Sequence, residues 1–278
     1  MQSVSIEQAL LASSQKIEPV DARMLLQHVL NMPQAYLHTH PEQTITSSQS
    51  QSFEQLVARR VTGEPIAYLV GAREFYDLTF KVSPAVLIPR PETELLVDLA
   101  LERVPNDQHC RVLDLGTGSG AIAITIAKHR PLTTVIAVDV SVDAVAIAST
   151  NAKEIGVTNL KVIHGSWFDV MQGVQFDLIV SNPPYVAEDD PHLKQGDLRF
   201  EPPLALMAKG NGLACLQTIS AAAPAHLNAG GWLLMEHGYD QAAACIKLLQ
   251  QAGFKSTFSA PDLAGIMRVS GGQIENSI

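Results

Sequence analysis

The chain has no uninterrupted apolar run long enough to cross a bilayer. Its N-terminus has no basic stretch leading into an apolar core, so no secretory signal is expected. Both features point to the cytoplasm, and no membrane partner is expected. Cysteine is scarce: Cys110, Cys215 and Cys245 are odd in number and widely spaced. They match neither a disulfide framework nor a metal or redox spacing, which suggests a reducing compartment. Each reads as a small buried apolar residue. Basic residues are also in short supply, 19 Lys and Arg against 28 Asp and Glu, for a net charge of −9. That argues against a protein whose main affinity comes from nucleic-acid phosphates, so no direct nucleic-acid contact is expected. No metal is expected either, because nothing near His38 and His40 completes a ligand set and both read as surface residues. Internal repeats and low-complexity stretches are absent.

Of the 278 residues, 46% are hydrophobic and 17% charged, which fits a globular protein with a sizeable core. Two regions differ in grammar. Up to about residue 70 the apolar residues recur at helical spacing. Ala22, Leu25, Leu26, Val29 and Leu30 mark one helix, with Asp21 at its amino end. Phe53, Leu56, Val57 and Val61 mark another, after serines suited to capping, and Arg59 and Arg60 read as a solvated face of it. The stretch from Gly63 to Glu94 has β-favouring residues and several prolines, and reads as a hairpin or extended linker. Glu92 and Glu94 are placed to cap the helix that follows. From residue 92 strands and helices alternate, which predicts an α/β fold with a parallel, doubly wound sheet. The expected domains are 1–70, helical; 71–91, a β-hairpin linker; and 92–278, the α/β domain. "RVS" at 268–270 reads as the last strand, with Gly271-Gly272-Gln273 in a tail beyond it.

The first strand of the alternating region, "RVLDL", runs into a turn with Gly116, Gly118 and Gly120. Glycines there permit positive φ and close backbone approach to a ligand, and the following helix offers free N–H groups. Asp139 closes the next strand, where a carboxylate can accept both hydroxyls of a ribose. The spacing is not the dinucleotide G-x-G-x-x-G, since the third glycine comes one position early. No Lys-Ser/Thr follows it, so a triphosphate-cleaving P-loop is excluded.

A second turn, Asn182-Pro183-Pro184-Tyr185, leaves the apolar strand at 178–180. Asn-Pro is a common turn former, but two prolines make this one rigid, and the carbonyls of Asn182 and Pro183 have no regular ladder to join. Carboxyl ends of strands are where open α/β sheets bind ligands.

The glycine turn resembles the cofactor turn of class I S-adenosylmethionine-dependent methyltransferases. The resemblance selects S-adenosylmethionine, leaving S-adenosylhomocysteine, and implies a seven-stranded, mostly parallel Rossmann-like sheet. It implies that Gly116, Thr117, Gly118, Ser119, Gly120, Asp139, Trp167 and Asn182 contact the cofactor. Trp167 would stack on adenine, with a core position the alternative reading. Ser166 stands where relatives often carry a carboxylate. Asn-Pro-Pro-Tyr is similar to the turn of enzymes that methylate planar nitrogens. The amide nitrogen is a poor nucleophile, because its lone pair is delocalised into the carbonyl. Two acceptors, the Asn182 side-chain oxygen and the Pro183 carbonyl, can hold its two N–H bonds and aim the lone pair at the methyl. Pro184 keeps them rigid, and Tyr185 can pack on the planar group. Catalysis is then orientation and electrostatics, with no strong base required.

Nearly end to end the chain resembles the HemK/PrmC family, the protein-(glutamine-N5) methyltransferases of peptide chain release factors. "LIPRPETE" (87–94) and "DPHLKQGDLRFEPPLAL" (190–206) carry that resemblance beyond the methyltransferase motifs. It implies a small helical bundle that docks a protein substrate, and as substrate the glutamine of the Gly-Gly-Gln loop in class I release factors. A monomer is expected. The alternatives are a glutamine methyltransferase of a ribosomal protein, an N6-adenine-type methyltransferase of nucleic acids, and a non-catalytic adaptor.

Overall fold

The computed structural model describes residues 4–275. The chain divides into two compact units. One holds the chain up to Ala72 together with His192–Phe200. The other holds Arg73–Pro191 and the chain from Glu201 onward.

The first unit is helical: α1 (Ile6–Ser13), α2 (Pro19–Leu30), α3 (Gln34–Thr39), α4 (Ser47–Val61) and α5 (Ile66–Val70), with the two-residue strands β1 (Val4–Ser5) and β2 (Thr44–Ile45) paired antiparallel. Capping boxes start two of the helices. Ser5 and Gln8 exchange hydrogen bonds at α1, and Thr46 and Gln49 do so at α4. The cap of α4 is therefore Thr46, and the serines expected to cap it lie inside the helix. Ile6, Leu25, Leu26, Leu37, Phe53 and Val57 form the core. Arg60 is not part of a solvated face: its Nε donates to Asp21 Oδ2 at 2.7 Å, and its Nη1 lies 3.6 Å from Asp197. Asp21 is thus engaged across the bundle as an ion pair, while Pro19 opens α2. Residues 192–200 pack here through that pair and through Arg199, whose guanidinium donates to the Thr62 carbonyl. His38 and His40 are exposed, as expected, and His40 stacks on Tyr36.

The second unit begins with a hairpin, β3 (Ala72–Phe75) and β4 (Leu78–Lys81), whose Phe75 and Phe80 enter the main core. After it come α6 (Glu94–Arg103), β5 (Arg111–Leu115), α7 (Ala121–His129), β6 (Thr134–Asp139), α8 (Val142–Ile155), β7 (Leu160–His164) and β8 (Phe176–Ser181). The chain continues through β9 (Val186–Ala187), α9 (Pro203–Leu206), β10 (Met207–Ala208), α10 (Ala214–Ala222), β11 (Leu227–Glu236), α11 (Ala242–Gln251), β12 (Lys255–Pro261) and β13 (Met267–Gln273). The central sheet has seven strands in the order β12-β13-β11-β8-β5-β6-β7. β7, β6, β5, β8 and β11 run parallel, and β13 is antiparallel to both its neighbours. The predicted α/β fold is the one observed.

Strand alternation explains why both faces are covered. Val112, Leu178, Val180 and Leu234 pack into the layer holding α6 and α7. Leu113, Leu115, Ile179, Leu233 and Met235 pack into the layer holding α10 and α11.

Two sequence expectations are corrected here. β13 does not stop at Ser270. Gly271 pairs with Leu234 and Gly272 with Leu233, and Gln273 Nε2 donates to the Gly230 carbonyl at 2.9 Å. A side chain at 271 would meet Leu234 Cδ2 at 2.6 Å, so glycine lets the strand pass this packed surface. The final residues of the expected tail, 276–278, lie outside the described residues. Nor does Glu94 cap α6 with its side chain: its Oε1 accepts from the Tyr76 amide at 2.8 Å. Glu92 makes no side-chain cap either.

Candidate active site

The strand order sets the site. Moving from β11 through β8, β5 and β6 to β7, the carboxyl ends carry Glu236, the Asn-Pro-Pro-Tyr turn, the glycine turn, Asp139 and Trp167. The chain reverses direction across the sheet between β8 and β5, which is where doubly wound sheets open a crevice. A cleft of about 390 Å³ lies there. Gly116, Thr117, Gly118, Ser119, Asp139, Trp167, Asn182 and Pro184 all line it. Gly120, Pro183 and Tyr185 stand just behind: Gly120 opens α7, Pro183 is buried, and Tyr185 is half-buried against the α10–α11 layer.

Gly116, Gly118 and Gly120 have φ of 73°, 56° and 85°. These left-handed angles are strained for any residue with a Cβ, which is why the turn needs glycine. A Cβ at Gly118 would meet nothing within 4 Å, so this stretch of backbone is open to a ligand. The turn is stitched to its surroundings by the Gly116 and Thr117 amides, which donate to the Val138 carbonyl at 2.8 and 3.0 Å. Thr117 Oγ1 donates to the fully buried Asp114 at 2.6 Å. Burial is the main cause raising Asp114 to about 7, against the lowering effect of the Thr117 hydrogen bond.

Asp139 is tied at both oxygens. Gly118 N donates to Oδ2 at 2.8 Å and Ser141 N to Oδ1 at 2.9 Å. Each oxygen retains a further acceptor site, so the carboxylate is oriented and still able to bind. Trp167 has φ of +44° and lies over the turn, with its ring edge 3.7 Å from where a Gly116 Cβ would sit. It lines the cleft and is also packed against the core of the α10–α11 layer.

At the second turn, Ser181 Oγ donates to the Leu115 carbonyl at 2.7 Å and locks β8 to β5. Asn182 Nδ2 donates to Thr93 Oγ1 at 3.1 Å, which leaves Oδ1 as the acceptor. Tyr185 is held at both ends. Its hydroxyl donates to Glu236 Oε1 at 3.2 Å, and its carbonyl accepts from Gln241 Nε2 at 3.0 Å. Gly212 packs against that carbonyl so closely that a Cβ would sit 2.1 Å from the oxygen. Burial, then the Glu236 charge, push the Tyr185 phenol well above its ordinary pKa, so it is an un-ionised donor. Burial likewise raises Glu236 to about 7.

Sequence reasoning missed several residues of this site. Thr93 and Arg90 come from "LIPRPETE", Leu204 from "EPPLAL", and Cys215 from α10. Arg90 pairs with the buried Glu201 beneath the cleft. Cys215 is half-exposed on the cleft rather than a core residue, and Cys110 is half-buried, whereas Cys245 is in the core as read. Burial raises the Cys215 thiol, which keeps it protonated. The only signal for Glu236 was a carboxylate ending an otherwise apolar strand. Among the described residues no cluster of His, Cys, Asp or Glu could hold a metal, and no helix is long and apolar enough to cross a membrane.

Comparison with known proteins agrees with this architecture. Residues 5–71 match the PrmC N-terminal domain, and residues 92–197 match the methyltransferase small domain. Among solved structures, a methyltransferase from Pyrococcus furiosus superposes with a TM-score of 0.55 at 19% identity, covering 81% of this chain and 100% of that one. A release factor glutamine methyltransferase of Vibrio cholerae is 46% identical over 98% of this chain and 97% of its own length. One of Xylella fastidiosa is 49% identical over 95% of this chain and 96% of its own. Likeness of this degree over almost the whole length places the chain in the release factor glutamine methyltransferase family.

Proposed function

We propose that this enzyme transfers a methyl group from S-adenosylmethionine to the side-chain amide nitrogen (N5) of a glutamine, the one in the Gly-Gly-Gln loop of class I peptide chain release factors. The products are the N5-methylglutamine protein and S-adenosylhomocysteine. The observation that carries the reading is the oriented Asn182 amide. Its nitrogen is taken by Thr93, so its oxygen is free to accept from a substrate N–H.

The residues of the cleft fit this cofactor. Open backbone at Gly118 and the amino end of α7 suit its polar amino-acid end. Asp139, fixed by two backbone amides, suits the ribose hydroxyls, and the Trp167 face suits adenine. S-adenosylmethionine supplies an electrophilic methyl on a sulfonium. The chain's own part is placement. Asn182 Oδ1 and the Pro183 carbonyl each take one N–H of the substrate amide, which draws its lone pair out of conjugation and toward the methyl. Pro183 and Pro184 keep these acceptors from relaxing. Tyr185 packs against the planar amide and is itself clamped by Glu236 and Gln241. The methylated nitrogen loses its extra proton to water, so the site needs no strong base. The helical unit is the docking element for the release factor, and the enzyme acts as a cytoplasmic monomer.

The test is incubation of purified release factor with S-adenosylmethionine and this protein, followed by mass mapping. A single methyl on the Gly-Gly-Gln glutamine is expected. Methylation of DNA or RNA with the release factor left unmodified would overturn the reading.

A further inference from the structure

The hairpin that ends the sheet holds apolar side chains in solvent at the cleft end. Residues 262–266 join β12 to β13, and Leu263 at the tip is fully exposed. Ile266 and Met267 are exposed beside it. The turn that follows β11 adds Tyr239, 72% exposed. The two turns start side by side, because the His237 amide donates to the Arg268 carbonyl at 2.9 Å.

Both turns are tied down. Asp262 Oδ1 accepts from the Ala264 and Ile266 amides at 2.9 and 3.0 Å, and its Oδ2 accepts from Arg268 Nε at 3.0 Å. Backbone bonds close the same loop: the Asp262 amide donates to the Ile266 carbonyl at 2.8 Å, and the Gly265 amide to the Asp262 carbonyl at 2.9 Å. In the other turn Gln241 Oε1 accepts from the Gly238 amide at 2.9 Å. A rigid loop that keeps Leu263 in water gains nothing from it in the free protein. A partner that covers it gains the burial without having to order the loop first.

The place of the hairpin selects the partner. Ser181 pairs with Met235, and Glu236 with Val269, so the Asn182 turn, the end of β11 and the hairpin leave the sheet at one level. β13 lies two strands from β8 and β12 lies three, which sets the hairpin roughly 10–14 Å to the side of Asn182. A stable protein contact covers about 800 Å² on each partner, a disc of roughly 16 Å radius. A folded protein that delivers a glutamine side chain to Asn182 therefore reaches the hairpin. Exposed apolar surface that includes Tyr and Met is suited to such a contact. We propose that the 262–266 loop, Met267 and Tyr239 form a docking surface on the catalytic unit, covered by the release factor surface that flanks the Gly-Gly-Gln loop. This assignment rests on the proposed function. The contact is the same before and during methyl transfer, so it sets affinity and leaves the chemical step alone.

The test compares the full-length wild type with Leu263→Ser, a change at a fully exposed position that keeps the fold. Calorimetry should show about tenfold weaker binding of purified release factor, and kinetics an about tenfold higher KM with kcat unchanged. A short Gly-Gly-Gln peptide, which ends before the hairpin, should be turned over equally by both. Adding Tyr239→Ser should weaken release factor binding further. Equal affinity and equal KM for release factor overturn the docking surface, and so does an equal loss on peptide and release factor. A wild type that sediments as a dimer, with Leu263→Ser a monomer, overturns it in favour of a second copy of this chain. Release factor that binds the wild type, binds Leu263→Ser more weakly and stays unmethylated overturns the proposed function and leaves the docking surface standing.

Discussion

Two turns leave neighbouring parallel strands at the same sheet edge, and they are chemical opposites. The turn after β5 has three glycines with positive φ and leaves open backbone at Gly118, beside the Asp139 carboxylate. The turn after β8 has two prolines, which have no amide, and presents an amide oxygen and carbonyls. Both are rigid by different means. The first is held because its amides donate to Val138 and Asp139. The second is held by proline rings and by Thr93, Glu236 and Gln241. Residue type thus divides one crevice into a glycine half, open backbone beside the Asp139 carboxylate and suited to a cofactor with hydroxyl groups, and an acceptor half suited to an N–H substrate.

If that division is right, the acceptor half should govern rate and the glycine half should govern cofactor affinity. The largest effect is expected from Asn182→Ala. Losing one preorganised acceptor should lower kcat by about 10²–10³, roughly 3 kcal/mol in the transition state, with S-adenosylmethionine affinity nearly intact. Near-normal turnover would break the comparison at its centre. Asp139→Ala should do the reverse. Removing charge-assisted hydrogen bonds to the ribose should weaken cofactor binding by about 1.5–3 kcal/mol in calorimetry. Unchanged affinity would remove Asp139 from the cofactor site. A smaller effect, on stability, is expected from Gly120→Ala. The left-handed backbone at this position should cost about 1–2 kcal/mol, seen as a lower midpoint in denaturant. The new Cβ would also press on Ile124 Cδ1 at 2.7 Å, though that methyl can move. A neutral result would mean that the turn is held more loosely than its hydrogen bonds imply.

Much of this was legible in the sequence because the signals were local. "RVLDL" is β5 residue for residue, and Asp139 closes β6, since both strands are apolar runs bounded by turn residues. The glycine and proline turns could be found because their residue types force backbone geometry. What stayed hidden depends on partners far apart in the chain. Thr93 meets Asn182 across 89 positions, and Tyr185 meets Glu236 across 51. Arg60 looked like surface on its own helix, but Asp21 comes from another helix and Asp197 from a segment 137 positions later. That segment also complicates deletion of the helical region: residues 192–200 belong to the same compact unit, so removing 1–70 would strip their packing partners as well.

The smallest effect concerns a second Gly-Gly-Gln, the one in the chain itself at 271–273. As a free tail it could compete with substrate, but it is strand. β13 runs antiparallel to β11, so Gln273 pairs with Trp232 while Val269 pairs with Glu236 at the cleft end. Four residues of strand, roughly 13 Å, separate Gln273 from that edge. Its amide is also committed to the Gly230 carbonyl. Incubation with S-adenosylmethionine alone should leave Gln273 unmethylated by mass spectrometry. Gln273→Ala should leave KM for release factor unchanged and lower stability by about 0.5–1.5 kcal/mol, the worth of one hydrogen bond. Removing the chain from 271 onward is a different experiment, because it takes the end of β13 with it and should destabilise the sheet by more. A methylated Gln273 would require the last strand to peel from the sheet, and would mean that the acceptor half of the crevice can reach this chain's own glutamine.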